Sequence, residues 1–398
     1  MTPKVDNKTA RLYFIDAMRA WAILMMLQGH FIDGLLDPIF RDNNNIVFSI
    51  WKYFRGITAP VFFTVSGFIF TYLLVRGDKT GLENPRVRKG VRRGLQLLFI
   101  GYLLRMNLFG LLQGEVYDSF YLVDVLHCIG LSILGIIGVY LLTNQLKKNV
   151  FPSILFGITT MLFLFEPAYK GMQLEFLPQA IANYFTRVNG SVFTIFPWFG
   201  YATFGGFLSL LFTKYRSHKY LYPTAITLSI AIGSGLILYS SDLFLSISRV
   251  TDIQLFADIY FNNYLFIRLG DVFLVFATFM SIRSLLKNST ILKIGQSTLS
   301  IYVIHFIILY GSFTGLGLYA FFNHSLHPVT AISGALIFMV ICTFTALRYE
   351  EQKEFIKLTM RTILRFTWIK SELAVLYVAE LLKNSFYRFL RLIGLVKS

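Results

Sequence analysis

The strongest constraint on this chain is a succession of apolar runs, each near the ~20 residues that a helix needs to cross a bilayer. "DVLHCIGLSILGIIGVYLLT" and "AISGALIFMVICTFTAL" are two of them. We read about ten spans, near 13–33, 48–75, 93–112, 120–143, 150–166, 191–213, 220–240, 264–285, 298–320 and 328–347. Charge content agrees, at 15% against the ~25% of an ordinary soluble domain. The expected class is all-α: a polytopic membrane helix bundle over residues 1–347 with an amphipathic cytoplasmic tail over 348–398. The mixed stretch from Gly171 to Thr186 is expected at the interface.

The net charge of +16 suggests nucleic acid only if the membrane is ignored. Lysine and arginine instead collect in alternate loops, as in "RGDKTGLENPRVRKGVRRG", "KYRSHK" and "RSLLKNSTILK". The intervening loops carry acids such as Asp37, Asp42, Glu115, Asp118, Asp242 and Asp252. The positive-inside rule therefore puts both termini in the cytoplasm of a multi-pass protein of the cell (inner) membrane. Met1–Ala10 is polar and no cleavage-site pattern follows, so the first helix is expected to stay as a signal anchor. Cys128 and Cys342 make no disulfide or metal framework, and no metal is expected.

The first span, "RLYFIDAMRAWAILMMLQGHF", carries Asp16, Arg19 and His30. All three fall in one sector of a helix, which lipid would penalise. Asp16 and Arg19 can pair at i,i+3. His30 lies eleven residues beyond Arg19, roughly 16 Å further toward the outside. Arg55, Arg105, the Asp124–His127 pair, Arg268 and Asp271 fall at a similar depth on other spans. Together they suggest an outward-facing pocket in which a histidine serves as general base and arginines hold anionic groups. Either His30 or the Asp124–His127 pair could supply that base. Alone, each residue reads more simply as a structural anchor. On the inner side, Arg86, Arg88, Lys89, Arg92 and Arg93 sit in one short loop with Arg76 and Lys79. They serve either as topology signals or as a site for phosphates of a cytoplasmic ligand. Ser66 is read as packing, Pro197 and Trp198 as a bend and an interface anchor, and His324 and His327 as solvated loop residues.

Six segments in order resemble the transmembrane acyltransferases related to heparan-α-glucosaminide N-acetyltransferase, and more distantly the acyltransferase-3 enzymes. They are "RLYFIDAMRAWAILMMLQGHF", "TAPVFFTVSGF", "RRGLQLLFIGYLL", "DVLHCIGLSIL", "FPWFGYATFGGFL" and "IGQSTLSIYVIHF". The resemblance implies transfer of an acetyl group from cytoplasmic acetyl-CoA to an extracytoplasmic acceptor, commonly a glycan or amino sugar. It implies that His30 is the catalytic histidine, that Arg19 is the first-helix arginine, and that the protein is a homodimer. Two positions depart from the pattern: Ala20 replaces a glycine, and His127 replaces a glutamine. His305 is expected near the cytoplasmic start of the ninth span, away from the acceptor and within reach of the CoA arm, or simply packed. A proton-coupled transporter or lipid flippase also uses intramembrane Asp, Arg and His. Such folds often show repeated halves, and this sequence shows none. A non-catalytic scaffold would explain the spans but not the polar cluster.

Overall fold

A computed structural model describes residues 12–392. Arg11, which leads the first motif, and the last residues of the tail lie outside the described residues. Those described are helical apart from turns and one isolated bridge between Leu36 and Leu326. The principal helices are α1 (Tyr13–Leu35), α2 (Ile46–Leu74), α3 (Pro85–Arg105), α4 (Val125–Thr143), α5 (Val150–Leu164) and α6 (Ile195–Lys214). They continue with α7 (Leu221–Thr251), α8 (Tyr264–Ser281), α9 (Ser289–Gln296), α10 (Thr298–Tyr310) and α11 (Pro328–Leu392). The first compact unit ends at Phe344, and Thr345–Ser398 forms a second.

Local chemistry starts several of these helices. Asn45 Oδ1 accepts the backbone N–H groups of Val47 and Phe48 at the start of α2. Asn84 caps α3 through the N–H of Arg86, with Pro85 at the first helical position. Such caps satisfy donors that have no partner inside the helix.

Six of the described helices are long and apolar enough to cross a membrane, or seven if α9 and α10 count as one bent span. The expectation of about ten exceeds this for physical reasons. Asp16, Arg19, Gln28, His30 and Asp33 dilute the apolar character of α1, and basic residues dilute that of α3. Helix α5 has only 15 residues. Other boundaries move as well. The third span ends at Arg105, with a separate helix at Leu108–Leu112. Helix α7 runs 31 residues, so Asp242 stands on a helix and not in a loop. The ninth span, expected over 298–320, is shorter, since α10 ends at Tyr310 and meets α9 at 70° at its start. The tail is a single helix through Leu392.

The core of the first unit is aromatic. Phe14 of α1 meets Phe68 of α2, Phe212 of α6 and Phe276 of α8, with ring centroids 5.8–6.5 Å apart. Edge-on and tilted arrangements of this kind suit the ring quadrupole. Trp198 belongs to this interior: it is buried, stacks on Phe63 and donates Nε1–H to the Val192 carbonyl at 3.1 Å. The interface-anchor reading of Trp198 is thereby corrected, because its N–H finds a protein partner without needing the headgroup region.

Candidate active site

The six motifs pair with one another across helix contacts, first with last, second with fifth, third with fourth. A Cβ on Gly67 would lie 1.9 Å from the Ala202 carbonyl oxygen, and one on Gly205 would lie 1.8 Å from that of Thr64. Thus "SGF" of α2 and "FPWFGYATFG" of α6 are two halves of one backbone-to-backbone crossing, the small-residue packing that membrane helices use. Gly94 of α3 and Gly130 of α4 approach each other's carbonyls in the same way.

The pairing of first and last motifs brings polar side chains of two distant helices together. Gly295 of α9 backs onto the carbonyl of Asp16, leaving no room for a side chain. One turn on, Arg19 Nη2 donates to Thr298 Oγ1 at 3.0 Å while its Nη1 lies 3.7 Å from Asp16. Further along, His30 Nδ1 and His305 Nε2 are 3.2 Å apart. Helix α1 therefore runs beside α9 and α10 with three successive contacts between the two motifs.

The separation expected between His305 and His30 is corrected. Helix α10 runs only from Thr298 to Tyr310, so His305 lies five residues from its end and not near the start of a long span, and its ring stands beside that of His30. His305 is fully buried against Tyr302, at 4.8 Å between ring centroids, whereas His30 is partly exposed. The Tyr310 ring also approaches His30, with centroids 6.3 Å apart.

Two ion pairs stand near the histidines. Asp33, three residues after His30, pairs with Arg55. Arg105 Nε donates to Asp124 Oδ2 at 2.8 Å, and its Nη1 to the Ser119 carbonyl at 3.0 Å. The charges of Asp124 and Arg55 both act on His30. Asp33 was legible in the sequence, since i,i+3 puts it on the same helix face as His30. Tyr310 carries no sequence signal.

Asp124 and His127 do not form a carboxylate–imidazole pair. They make a reciprocal capping box at the start of α4. The Asp124 backbone N–H donates to His127 Nδ1 at 3.0 Å, which leaves the proton of a neutral ring on Nε2. That Nε2 is buried without a hydrogen-bond partner, and Gly101 backs onto the ring. A ring whose acceptor nitrogen is already used is poorly placed to take a proton. The glutamine that His127 replaces is the usual capping-box residue. We expect His127→Gln to keep the cap, changing melting temperature by under about 2 °C and turnover by under about threefold. A hundredfold loss of turnover in a folded His127→Gln protein would instead make the imidazole a reacting group.

Arg268 and Asp271 are not brought to the histidine pair. They bond to each other at 2.9 Å within α8, and Tyr53 of α2 donates to Asp271 at 2.7 Å. The guanidinium lies 4.5 Å from the Tyr53 ring centroid, so the group ties α8 to α2. The basic cluster also differs from expectation. Arg86, Arg88, Lys89, Arg92 and Arg93 occupy the first turns of α3 and not a loop, because Asn84 and Pro85 start the helix before them. All five are exposed, while Val87, Gly90 and Gly94 face inward.

The loops that follow α1 and precede α11 lie over the His30 end of α1. Arg41 Nη2 donates to the carbonyls of Asp33 and Leu36 and to His324 Nδ1, each at 2.7 Å. Backbone bonds from Asp37 to Leu326 and from Leu326 to Leu35 zip the two loops together. His324 is thus a bonded member of this clasp, and His327 packs on Phe40 at 4.9 Å, so neither is merely solvated.

A family model described as an acyltransferase domain matches residues 12–348. No curated protein matches the chain.

Proposed function

This chain belongs to the acyltransferase domain family, and from that premise we propose that it moves an acetyl group across a membrane. The donor is cytoplasmic acetyl-CoA, and the acceptor is an extracytoplasmic amino-sugar amine or glycan hydroxyl. The observation that carries this reading is the His30–His305 contact at 3.2 Å, in a helix pair formed by the first and last motifs.

His30 is the base. When His305 Nε2 accepts the Nδ1 proton of His30, His30 Nε2 keeps its lone pair and points away from the pair. That nitrogen takes the proton from the acceptor's amine or hydroxyl as it attacks the thioester carbonyl. The C–S bond then breaks, and the proton passes to the departing CoA thiolate. A second route has His30 Nε2 attack the thioester first, expelling the CoA thiolate and forming an acetyl-histidine. The acceptor then attacks that acyl carbon, the N–C bond to His30 breaks, and the acceptor's proton passes to the CoA thiolate. His305 acts in both routes as a positioning residue, fixing the tautomer and ring angle of His30. Arg55 and Arg105, held by Asp33 and Asp124, orient the acceptor and stabilise the oxyanion.

The donor's phosphates bind the basic turns of α3. Cations at a helix N-terminus work against the helix dipole unless an anion neutralises them. Arg19, tied to Thr298, lines the path along which the pantetheine arm reaches His30. Helices α1, α3 and α5 complete about ten crossings, with both termini cytoplasmic.

Acetyl-CoA binding to purified protein in detergent tests the donor assignment through thermal stabilisation. A ligand at a hundredfold excess over Kd adds about 2.7 kcal/mol to the folded state. We expect saturable stabilisation, weakened for dephospho-CoA. Folded protein with no shift at millimolar acetyl-CoA would send the search to another acyl donor.

A further inference from the structure

Helices α6 and α7 are joined by a short turn, yet each packs on a different neighbour. Helix α6 is locked to α2 at Gly205 and Gly67, while α7 is locked to α8 at Gly233 and Gly270. The two therefore diverge and leave a groove of about 540 Å3. That volume is in the ~300–1,000 Å3 range of small-molecule sites. Its walls include Phe207, Leu211, Leu228, Ile232, Phe276 and Met280. Of the polar lining residues, Tyr215, His218, Tyr220 and Thr224 gather at the turn end, and Ser229 stands further along α7.

Beside that end is a second hollow of about 270 Å3, lined in part by Arg283, Ser284 and Lys287. The two are close neighbours. Arg283 Nη1 donates to the carbonyl of Met280, a groove residue, at 2.9 Å. Its guanidinium lies 4.2 Å from the ring centroid of Tyr222, which packs on Phe212 of the groove. Among the described residues, no carboxylate lines either hollow.

We propose that these two hollows form a binding site for an acidic phospholipid. An acyl chain lies in the groove between α6 and α7, and the headgroup phosphate sits on Arg283 and Lys287. Charge complementarity selects the class. Two cations without a local counter-charge recognise a phosphate, and a net-negative headgroup is preferred over a zwitterionic one because no carboxylate is present to hold a choline ammonium. The polar end of the groove also falls at the basic turn "KYRSHK", where acidic lipid is attracted.

Native mass spectrometry of the full chain in detergent tests the site, using phosphatidylglycerol and phosphatidylcholine with identical acyl chains. The wild type should retain one phosphatidylglycerol at concentrations at least tenfold below those needed for phosphatidylcholine. The double variant Arg283→Gln, Lys287→Gln should lose that preference. Ala225→Phe, which fills the groove from α7, should lower phosphatidylglycerol retention at least fivefold with the basic residues intact. Equal retention of the two lipids by the wild type would overturn the proposal. So would unchanged retention by either variant, with the Ala225→Phe arm deciding if the double variant does not fold. Displacement of the retained lipid by acetyl-CoA, mole for mole, would also overturn it, since the hollow would then serve the donor.

Discussion

Replacing His30 with alanine removes acyl transfer while leaving the protein folded. The loss in turnover should reach ~10²–10⁴-fold, the usual contribution of a positioned acid–base group. Fold is spared because His30 is only partly buried and bonds to the His305 ring rather than to backbone. The readout is acetyl transfer from acetyl-CoA at saturating donor, beside the melting temperature of the same preparation. His305→Ala separates the two members of the pair. It should lower turnover about tenfold to a hundredfold with little effect on donor KM, and His305→Gln should restore part of it by offering Oε1 to His30 Nδ1. Full turnover in His30→Ala would remove this residue from the chemistry. Identical losses in His305→Ala and His305→Gln would show that His305 does more than accept a hydrogen bond.

The second large effect is structural. Gly205→Val should destroy the folded state. The first added carbon would sit 1.8 Å from the Thr64 carbonyl oxygen, well inside contact distance, and that neighbour is helix backbone that cannot rotate away. Overpacking a core usually costs about 1–3 kcal/mol, and a forced separation of two helices costs more. Thr64 also bonds its own helix at the Pro60 carbonyl, 2.8 Å away, so the local backbone is already committed. Monodisperse yield and thermal unfolding measure the effect. Gly157→Val is the control: a Cβ there meets no atom within 4 Å, and the change should be neutral to within about 1 kcal/mol. A Gly205→Val protein as stable as the wild type would mean that α2 and α6 do not meet in this way.

Part of the candidate site was legible because a membrane makes polarity conspicuous. His30 on an apolar helix stands out, since lipid offers it no partner. The order of the motifs identified the acyltransferase character, and the family match over residues 12–348 agrees with it at that level. Asp33 was within reach of the same reasoning. Arg41 and Tyr310 were not, because an arginine in a polar loop and a tyrosine at a helix end are unexceptional until their partners are known.

One-dimensional information sufficed for which stretches are helical and apolar, and which residues are costly in lipid. Which stretches meet is a property of the folded helices alone. Nothing in one dimension says that Gly295 backs onto Asp16, or that His305 faces His30 across 275 positions of chain. Two local events misled the one-dimensional reading. Helix α10 stops at Tyr310, which leaves His305 in its second half, and the cap at Asn84 turned an expected loop into the first turns of α3. The roles of Asp124 and His127 reversed for a related reason. Charge pattern suggests a reacting pair, but a histidine at the third helical position has a backbone N–H to satisfy first. Hydropathy reads the cost of leaving a group in lipid. The partner that removes this cost is found only where two distant helices are close-packed.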